Sequence, residues 1–268
     1  MKEITSFQRQ ILSEMKSRTK NGIYRYTQIE MAYHSNAIEG STVTLEDTIA
    51  LFDTIEYEFH EEIIKENIIA ENDAQETYNH FAAFRYILKM YSENLSEEHI
   101  KTIHKILKQG TLDEKKSYKV GEYKDRGNTI GGIITASPND VPNLMKEFVD
   151  SYNNTEFNIH NLAKMHSDFE TIHPFQDGNG RVGRLLLYRE CLHHNVLPFI
   201  IHQGNRFAYA TCLKNIQSKY TDTGLDALVD LFKREQQTYK NKLCQLYPFM
   251  FMKKCERKDN AQCLIGKK

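Results

Sequence analysis

Glycine and proline are scarce in this chain, and this scarcity constrains its fold more than any other sequence feature. Only 13 Gly and 5 Pro occur in 268 residues, and the long stretches between them carry apolar residues at three- and four-residue spacing. That spacing places apolar side chains on one face of a helix, and the residues that most often interrupt helices are missing. The sequence therefore predicts a mainly α fold.

Several segments carry helix start signals. Thr44 to Asp47 is typical of a capped helix start, and Asp140 followed by Pro142 is another. The stretch from residue 58 to residue 91 has no Gly or Pro and predicts one long helix or two stacked ones. A further helix is predicted over residues 225–246, followed by a basic tail.

Residues 129–136 break the helical pattern. β-Branched residues flank Gly131-Gly132 on both sides. Two glycines between β-branched residues suit a two-residue hairpin turn. We expect one short β-hairpin in an otherwise helical protein.

Charge and cysteine content exclude several classes of protein. Lys+Arg is 35 and Asp+Glu is 36, for a formal net charge of -1, so no whole-molecule field would attract nucleic acid or an anionic membrane. The five cysteines form no C-x-x-C pair, which implies neither a disulfide framework nor a zinc site. Because no apolar run suits a signal peptide or a membrane span, we expect a cytoplasmic protein without nucleic-acid or membrane partners.

Residues 173–184, with the sequence HPFQDGNGRVGR, form a glycine-rich loop between two predicted helices, residues 158–172 and 185–192. The first N–H groups of a helix lack intrahelical partners and favour an anion. Gly178 and Gly180 would let the backbone approach that anion closely. The loop therefore predicts an anion site, most often one for phosphate.

The side chains of the loop favour a polyphosphate. Asp177 offers a hard oxygen ligand for Mg²⁺, while Arg181 and Arg184 offer forked donors on one helical face. An imidazole such as that of His173, with an ordinary pKa of about 6.5, can accept a proton at neutral pH. Base, metal ligand and anion site all fall within this one loop.

This set of residues resembles the signature H-x-F-x-[DE]-G-N-G-R-x-x-R of the Fic (Fido) family, with every fixed position present. The resemblance implies a Fic-type helical core with a β-hairpin flap. It also implies a protein adenylyltransferase that moves AMP from ATP to a Ser, Thr or Tyr hydroxyl of a protein target, which can be the enzyme itself, and releases pyrophosphate. ATP and Mg²⁺ are the expected substrate and cofactor.

The resemblance also assigns roles within the loop. His173 would deprotonate the target hydroxyl, Asp177 would hold Mg²⁺ and Asn179 would orient the α-phosphate. Phe175 would anchor the loop in the core.

The remaining motif residues would contact phosphates. Gly178 and Gly180 would complete the anion hole, Arg181 would contact the bridging phosphates and Arg184 the γ-phosphate. The phosphorylating Doc branch of the family has Lys where this chain has Gly180, so Gly180 favours AMP transfer.

Outside the loop, the predicted hairpin lies where the family has its flap, which pairs main chain to main chain with an extended target segment. The expected target-docking residues are Thr129, Ile130, Gly131, Gly132 and Ile133.

Two further positions resemble family elements on either side of the loop. Lys124 stands where the family has Arg, a conservative departure to which we assign no function. Tyr209 resembles the adenine contact, although a core tyrosine fits its sequence equally well.

Near the N-terminus, Ser35 and Glu39 lie one helical turn apart, and Gly40 suits the end of a helix. With the loop behind it, this segment resembles the inhibitory motif [S/T]-x-x-x-E-[G/N] of the class with an N-terminal inhibitory helix. A carboxylate at Glu39 would occupy the Arg184 donors that the γ-phosphate needs.

These resemblances divide the chain into an N-terminal helical region at 1–96 with the inhibitory motif at 35–40, a Fic core at 97–218, and a C-terminal helix and tail at 219–268. Two alternatives remain open. One is a phosphodiesterase that removes AMP, or a bifunctional enzyme, with Glu39 positioning the water. The other is a nucleotide-binding interaction protein with negligible turnover. A homodimer is possible in any of these cases.

Overall fold

The computed structural model describes residues 2–57, 71–116, 118–218 and 221–248. Eleven α-helices lie in these ranges, together with a short 3-10 turn at Gln203–Asn205 and one two-stranded sheet. The prediction of a mainly α fold is confirmed. The helices are α1 Lys2–Ser17, α2 Ile23–Ile38, α3 Leu45–Tyr57, α4 Glu71–Met90, α5 Glu97–Lys108, α6 Leu112–Lys115, α7 Val141–Asn153, α8 Ile159–Ile172, α9 Asn179–His193, α10 Arg206–Gln217 and α11 Thr221–Leu246.

Capping residues fix several helix starts. Before α3, Thr44 Oγ1 accepts a hydrogen bond from the Asp47 N–H at 3.1 Å, and Asp47 Oδ2 accepts one from the Thr44 N–H at 3.4 Å. Before α5, Ser96 Oγ accepts one from the His99 N–H at 3.1 Å. These side-chain oxygens accept hydrogen bonds from backbone N–H groups at the helix start, which have no acceptor within the helix. The predicted helix start at Thr44 is confirmed.

Helix α9 begins earlier than expected. The apolar run starts late, which led to a predicted start at Leu185, but the helix begins at Asn179, inside the motif. Gly178 has a φ of 78° and so makes the left-handed turn that starts the helix. Arg181 and Arg184 therefore lie in the first two turns of α9.

The hairpin is present where it was predicted. Strands β1 Thr129–Ile130 and β2 Ile133–Ile134 pair antiparallel, with Ile130 opposite Ile133. The two glycines between them have φ values of 53° and 84°. Positive φ at both central residues is what this class of turn requires.

Two predicted segments fall wholly or partly outside the described residues. Helix α4 confirms the second half of the helical stretch predicted from residue 58 to residue 91, whereas residues 58–70 lie outside the described ranges. The predicted helix at 225–246 is α11, which begins at Thr221. The basic tail after residue 251 also lies outside the described ranges.

One hydrophobic core joins the described helices other than α6, from Phe7 on α1 to Leu243 on α11. Helix α9 is buried around almost its whole circumference, and it packs against α2, α4, α5 and α8. The start of α9 consequently lies beside the end of α2. Among the described helices, none is both long and apolar enough to cross a membrane.

Candidate active site

Left-handed residues at both ends shape the motif loop. His173 closes α8 with φ 53° and ψ 62°, and its N–H donates to the Phe169 carbonyl at 2.9 Å. Gly178 opens α9. A left-handed conformation is uncommon for a residue with a side chain, and such residues cluster at functional sites. The backbone therefore turns sharply at the histidine that was predicted to be the base.

Phe175 anchors the loop, as the motif implied. Its side chain is fully buried, and its ring stacks on His104 with 3.9 Å between the ring centroids. Asn179 Oδ1 accepts a hydrogen bond from the Phe175 N–H, and Asn179 Nδ2 donates one to the Phe175 carbonyl, both at 2.8 Å. The side chain that was expected to orient a phosphate is thus used to hold the loop. In the described part of the chain, no side chain caps the start of α9, which leaves its first N–H groups available to an anion.

Arg184 is buried and bound by the end of α2. Its Nε donates to Ser35 Oγ at 3.0 Å, and its Nη2 donates to the Ser35 carbonyl at 2.9 Å and to Glu39 Oε1 at 2.7 Å. The two residues predicted to face each other, Glu39 and Arg184, therefore form an ion pair. Gly40 ends the segment with a φ of 98°, in the left-handed region that favours glycine.

Glu39 also packs against Gly180. A Cβ at position 180 would lie 2.4 Å from Glu39 Oε1. The ion pair between Glu39 and Arg184 therefore requires glycine at position 180. Burial alone would raise the pKa of Glu39, but Arg184 and then Arg181 outweigh it and hold that pKa below its ordinary value. The carboxylate is charged at neutral pH, and its side chain is still 38% exposed.

A cavity of about 470 Å³ opens above the start of α9. It lies between the end of α2, the hairpin, the motif loop and α10, and seven of the fifteen predicted site residues line it. Its lining includes the polar residues Glu39, His173 and Arg184 and the apolar residues Ile38, Phe207 and Leu213. A cavity of this size suits a small-molecule ligand with one charged and one apolar end.

His173 lines this cavity and is mostly buried, with 16% of its side chain exposed. Burial, followed by the nearby charge of Lys124, lowers the pKa of His173 to about 4. Its Nδ1 lies 4.0 Å from Glu170 Oε2, and burial raises the pKa of Glu170 to about 8. At neutral pH the imidazole is therefore uncharged and ready to accept a proton. Glu170 was not identified from the sequence.

Asp177 lies outside the cavity wall, in a cluster of charged side chains. Its Oδ2 accepts from Lys108 Nζ at 2.7 Å and from Arg181 Nη2 at 3.3 Å. Arg181 Nη1 in turn lies 2.6 Å from Glu76 Oε2, and Lys108 also pairs with Glu76 and Asp113. Burial alone would raise the pKa of Asp177. The positive charge of Lys108 outweighs the effect of burial and lowers this pKa to about 2.

Sequence reasoning missed Lys108 and Glu76 altogether. Lys108 is 1% exposed in the last turn of α5, and Glu76 comes from α4. A lysine near the C-terminal end of a helix is normally exposed to solvent, and its positive charge interacts favourably with the helix dipole. No local signal marks it as the buried partner of a residue so far along the chain.

The carboxylate of Asp177 supplies part of what a hydrated Mg²⁺ needs as ligands. Mg²⁺ is commonly bound through one or two carboxylates together with waters and substrate phosphates. The Asp177 side chain is 48% exposed, which gives an ion access to it. Lys108 is the competing cation at the same carboxylate.

Lys124 joins the hairpin to the loop. Its Nζ donates to Asn128 Oδ1 at 2.8 Å and to Thr135 Oγ1 at 2.7 Å, while its N–H donates to the Pro174 carbonyl at 2.9 Å. Burial lowers the pKa of Lys124 to about 8. The residue thus positions the hairpin beside His173.

Tyr209 is both a core residue and part of the cavity wall. It is 4% exposed, and its hydroxyl lies 2.6 Å from His166 Nε2. The two sequence interpretations of this tyrosine, core residue and ligand contact, are therefore compatible. Its contact with an adenine stays a prediction.

The fold and the loop together define a helical protein in which a buried helix starts without a side-chain cap and a histidine lies beside that start. Residues 94–191 match the family model described as the Fic/DOC family. The matched residues include the hairpin, the whole motif loop and most of α9.

The solved structures that resemble this chain have the same fold. Fic-1 from C. elegans has a TM-score of 0.68 at 20% identity, covering 90% of this chain and 74% of that one. A Fic domain containing signaling protein from Bacteroides thetaiotaomicron has a TM-score of 0.66 at 24% identity, covering 88% of this chain and 93% of that one. The predicted Fic-type helical fold is thereby confirmed.

Curated relatives carry the name "Protein adenylyltransferase Fic". The Drosophila willistoni protein is 27% identical over 188 residues, which cover 68% of this chain and 35% of the relative. The Drosophila melanogaster protein is also 27% identical over 188 residues, covering 68% of this chain and 36% of the relative. The match thus spans about a third of the length of these relatives.

Proposed function

We propose that this chain is a protein adenylyltransferase that transfers AMP from ATP to a Ser, Thr or Tyr hydroxyl of a protein, and that Glu39 inhibits it by occupying Arg184. The observation that carries the proposal is the cavity, in which His173, the start of α9 and Arg184 face one space. The names of the curated relatives support the same activity.

The proposed reaction is a displacement at the α-phosphorus of ATP. The hydroxyl oxygen of the target forms a bond to this phosphorus, and the bond from the phosphorus to the bridging oxygen of the leaving pyrophosphate breaks. His173 accepts the hydroxyl proton. Its low pKa makes it a weak base that is unprotonated at neutral pH, so most of the rate would come from positioning and from the anion site.

In this proposal the phosphates lie along the start of α9. The N–H groups of its first turn would bind the α-phosphate, Gly178 and Gly180 would admit it closely, and Asn179 would keep the loop in shape. Arg181 and Arg184 would bind the outer phosphates through their forked donors. The apolar side of the cavity, including Tyr209, would receive the adenine.

Mg²⁺ would be held by Asp177 and would supply positive charge against the departing pyrophosphate. Asp177 is the carboxylate that lies nearest the start of α9 in the motif, and its exposed side gives room for phosphate and water ligands.

Inhibition follows from the contacts of Arg184. Ser35 and Glu39 use its Nε and Nη2, so a γ-phosphate must displace a charged hydrogen bond in order to bind there. A nucleotide that leaves this pair intact would bind with its outer phosphates displaced and its α-phosphorus misaligned.

The protein target would dock on the hairpin at residues 129–133. Ile134 next to it is 84% exposed, and the two strands are short. An exposed strand edge can pair with an extended segment through main-chain hydrogen bonds.

The experiment uses ATP labelled at the α-phosphate, the parent protein, Glu39→Gly and the double variant Glu39→Gly with His173→Ala. We expect label on protein with Glu39→Gly and none with the double variant, while both bind ATP with similar affinity. Absence of label in Glu39→Gly despite tight ATP binding would instead support a nucleotide-binding interaction protein. Equal loss of affinity and transfer on removing His173 would contradict its role as a base.

A second candidate is removal of AMP from a modified protein, alone or alongside transfer. It is favoured by the position of Glu39, whose charged carboxylate shares the cavity with His173 and could hold a water there. A protein modified by Glu39→Gly is the test substrate. Release of AMP by the parent, and not by Glu39→Gly or Glu39→Gln, would establish this activity.

A further inference from the structure

A cluster of two histidines and a glutamate lies away from the proposed active site. Glu30 and His34 are one turn apart on α2, and His202 precedes the 3-10 turn at Gln203–Asn205. One donor atom from each of the three lies within 4.8 Å of the others. His34 Nε2 is 3.1 Å from Glu30 Oε2, and the two imidazole rings have 4.5 Å between their centroids.

From this arrangement we propose that Glu30, His34 and His202 bind a zinc ion that connects α2 to the segment before α10. Two imidazoles and a carboxylate are a ligand set that Zn²⁺ uses, with a water in the fourth position. Imidazole ligands exclude Mg²⁺ and Ca²⁺, which prefer oxygen.

The surroundings of His202 support this assignment. Its Nδ1 lies 2.5 Å from Glu235 Oε2, and Glu235 is only 2% exposed. Glu235 also accepts hydrogen bonds from the His202 N–H at 3.0 Å and from Asn205 Nδ2 at 2.8 Å. A carboxylate on the second ring nitrogen is the partner that metal-binding histidines usually have, because it fixes the ring and leaves Nε2 free to bind the ion.

The ligands are also accessible and close enough. The side chains of Glu30, His34 and His202 are 20%, 11% and 27% exposed, so an ion can reach them from solvent. With zinc–ligand bonds of about 2.0–2.1 Å, tetrahedral donors lie about 3.3 Å apart. The donor atoms lie within 4.8 Å of one another, so a bound ion would draw them together by no more than about 1.5 Å.

Zinc binding would break two contacts of His34, one with Glu30 and one with the Gln203 N–H. His34 Nδ1 accepts from the Gln203 N–H at 3.3 Å, which leaves the proton of a neutral ring on Nε2, facing Glu30. Zinc at Nε2 would move that proton to Nδ1 and remove the Gln203 contact. Because a hydrogen bond of 3.3 Å is long and weak, this loss is small beside the gain of three metal bonds.

A bound zinc would stabilise the docked position of α2. Its ligands come from two separate elements, so the ion binds only when α2 is in place and favours that state by mass action. Ser35 and Glu39 follow directly on the same helix and its end. An effect of zinc on inhibition rests on the proposed function, whereas the metal site itself does not.

The test measures metal and not activity. Protein freed of metal by a chelator is dialysed against Zn²⁺, and bound zinc is counted by elemental analysis. Unfolding temperature is then measured with and without Zn²⁺. We expect the parent to bind one equivalent more than His34→Gln, His202→Gln and Glu30→Gln, and to gain a higher unfolding temperature that these variants lack. His160→Ala, an exposed histidine at the start of α8, is the control and should behave as the parent.

Two further measurements sharpen the outcome. Glu235→Gln should weaken zinc binding about 10- to 100-fold without abolishing it, as loss of a ligand-orienting carboxylate usually does. Zinc should slow hydrogen exchange in α2 of the parent and leave it unchanged in Glu30→Gln. Equal zinc content in the parent and in all three ligand variants, each folded as judged by circular dichroism, would overturn the proposal.

Discussion

At the scale of single residues, Arg184 is the group on which the proposed inhibition depends. It is 3% exposed and already has three hydrogen bonds to Ser35 and Glu39. A buried guanidinium needs such partners, because an unpaired buried charge is costly. The contact proposed to inhibit transfer is therefore also the one that supplies the hydrogen-bond partners of the buried Arg184.

Glu39→Gly should raise AMP incorporation well above that of the parent. The change frees Arg184 for the γ-phosphate and leaves Gly40 to end the helix. Glu39→Gln, which keeps a neutral acceptor, should give an intermediate rate. The measurement is incorporation of labelled AMP at saturating ATP and Mg²⁺.

Two controls belong to this prediction. Glu93→Gly changes an exposed glutamate in the loop after α4 and should leave the rate unchanged. Adding Arg184→Ala to Glu39→Gly should bring the rate back down, since the two effects are coupled. No gain in Glu39→Gly would exclude the inhibitory role of the N-terminal segment.

The pH dependence of transfer follows from His173. Only its neutral form can accept a proton, and burial lowers its pKa to about 4. The rate of Glu39→Gly should therefore stay flat as the pH falls through about 6.5, where an ordinary histidine titrates, and decline only below about pH 5. Initial rates over this range decide the matter. An acid limb centred near pH 6.5 would contradict the low pKa.

At the scale of secondary-structure elements, the cluster of Glu76, Lys108 and Asp177 connects α4 and α5 to the loop before α9. Lys108 Nζ faces three carboxylates, at Glu76, Asp113 and Asp177. Without that ammonium group, like charges would be left together in a mostly buried space. The same ammonium would compete with a metal ion bound at Asp177.

Lys108→Met should lower the free energy of unfolding by about 3 kcal/mol, as is typical when one partner of a buried charge cluster is removed. Mg²⁺ should restore part of this loss, because it can replace the missing positive charge at Asp177. The measurement is thermal unfolding with and without Mg²⁺ in the absence of nucleotide.

Lys105→Met is the matched control, one turn earlier on the exposed side of α5, and should change stability by less than about 0.5 kcal/mol. If Mg²⁺ shifts the parent and Lys108→Met equally, Lys108 does not compete with the ion at this carboxylate.

At the scale of the whole molecule, α2, whose end carries the proposed inhibitory residues, is part of the hydrophobic core. Tyr24, Ile29 and Ala32 on α2 are buried. A buried chain of hydroxyls also ties α2 to the rest, since Thr27 Oγ1 lies 2.5 Å from the Tyr239 hydroxyl and Tyr188 lies 3.2 Å from the same group. The division at residues 96 and 97 predicted from the sequence therefore crosses a continuous core.

Deletion of residues 1–40 should consequently give an unfolded protein and not a released enzyme. Each large buried side chain contributes about 2–5 kcal/mol, and whole domains are stable by only about 5–15 kcal/mol. Circular dichroism and thermal unfolding of the deletion variant test this, with full-length Glu39→Gly as the folded reference. A deletion variant that unfolds cooperatively at the reference temperature would show that α1 and α2 are dispensable.

Local sequence determined the parts of this protein that local physics controls. The scarcity of breakers and the apolar spacing predicted the helices, the Thr44 cap predicted a helix start, and Gly131-Gly132 predicted the hairpin turn. The motif from His173 to Arg184 predicted the anion site, because its residues are neighbours in the chain and must meet in one loop.

Tertiary structure alone decided several contacts between residues that are distant in sequence. Helix α9 begins at Asn179 because Gly178 turns the chain. The apolar run from Leu185 onward did not indicate this earlier start. Lys108 is paired with Asp177, and His202 lies beside His34, only because the helices that carry them pack together. Contacts between residues so far apart in sequence leave no periodic or spacing signal. They depend on how helix faces fit in the core, and that is fixed only when the whole chain is folded.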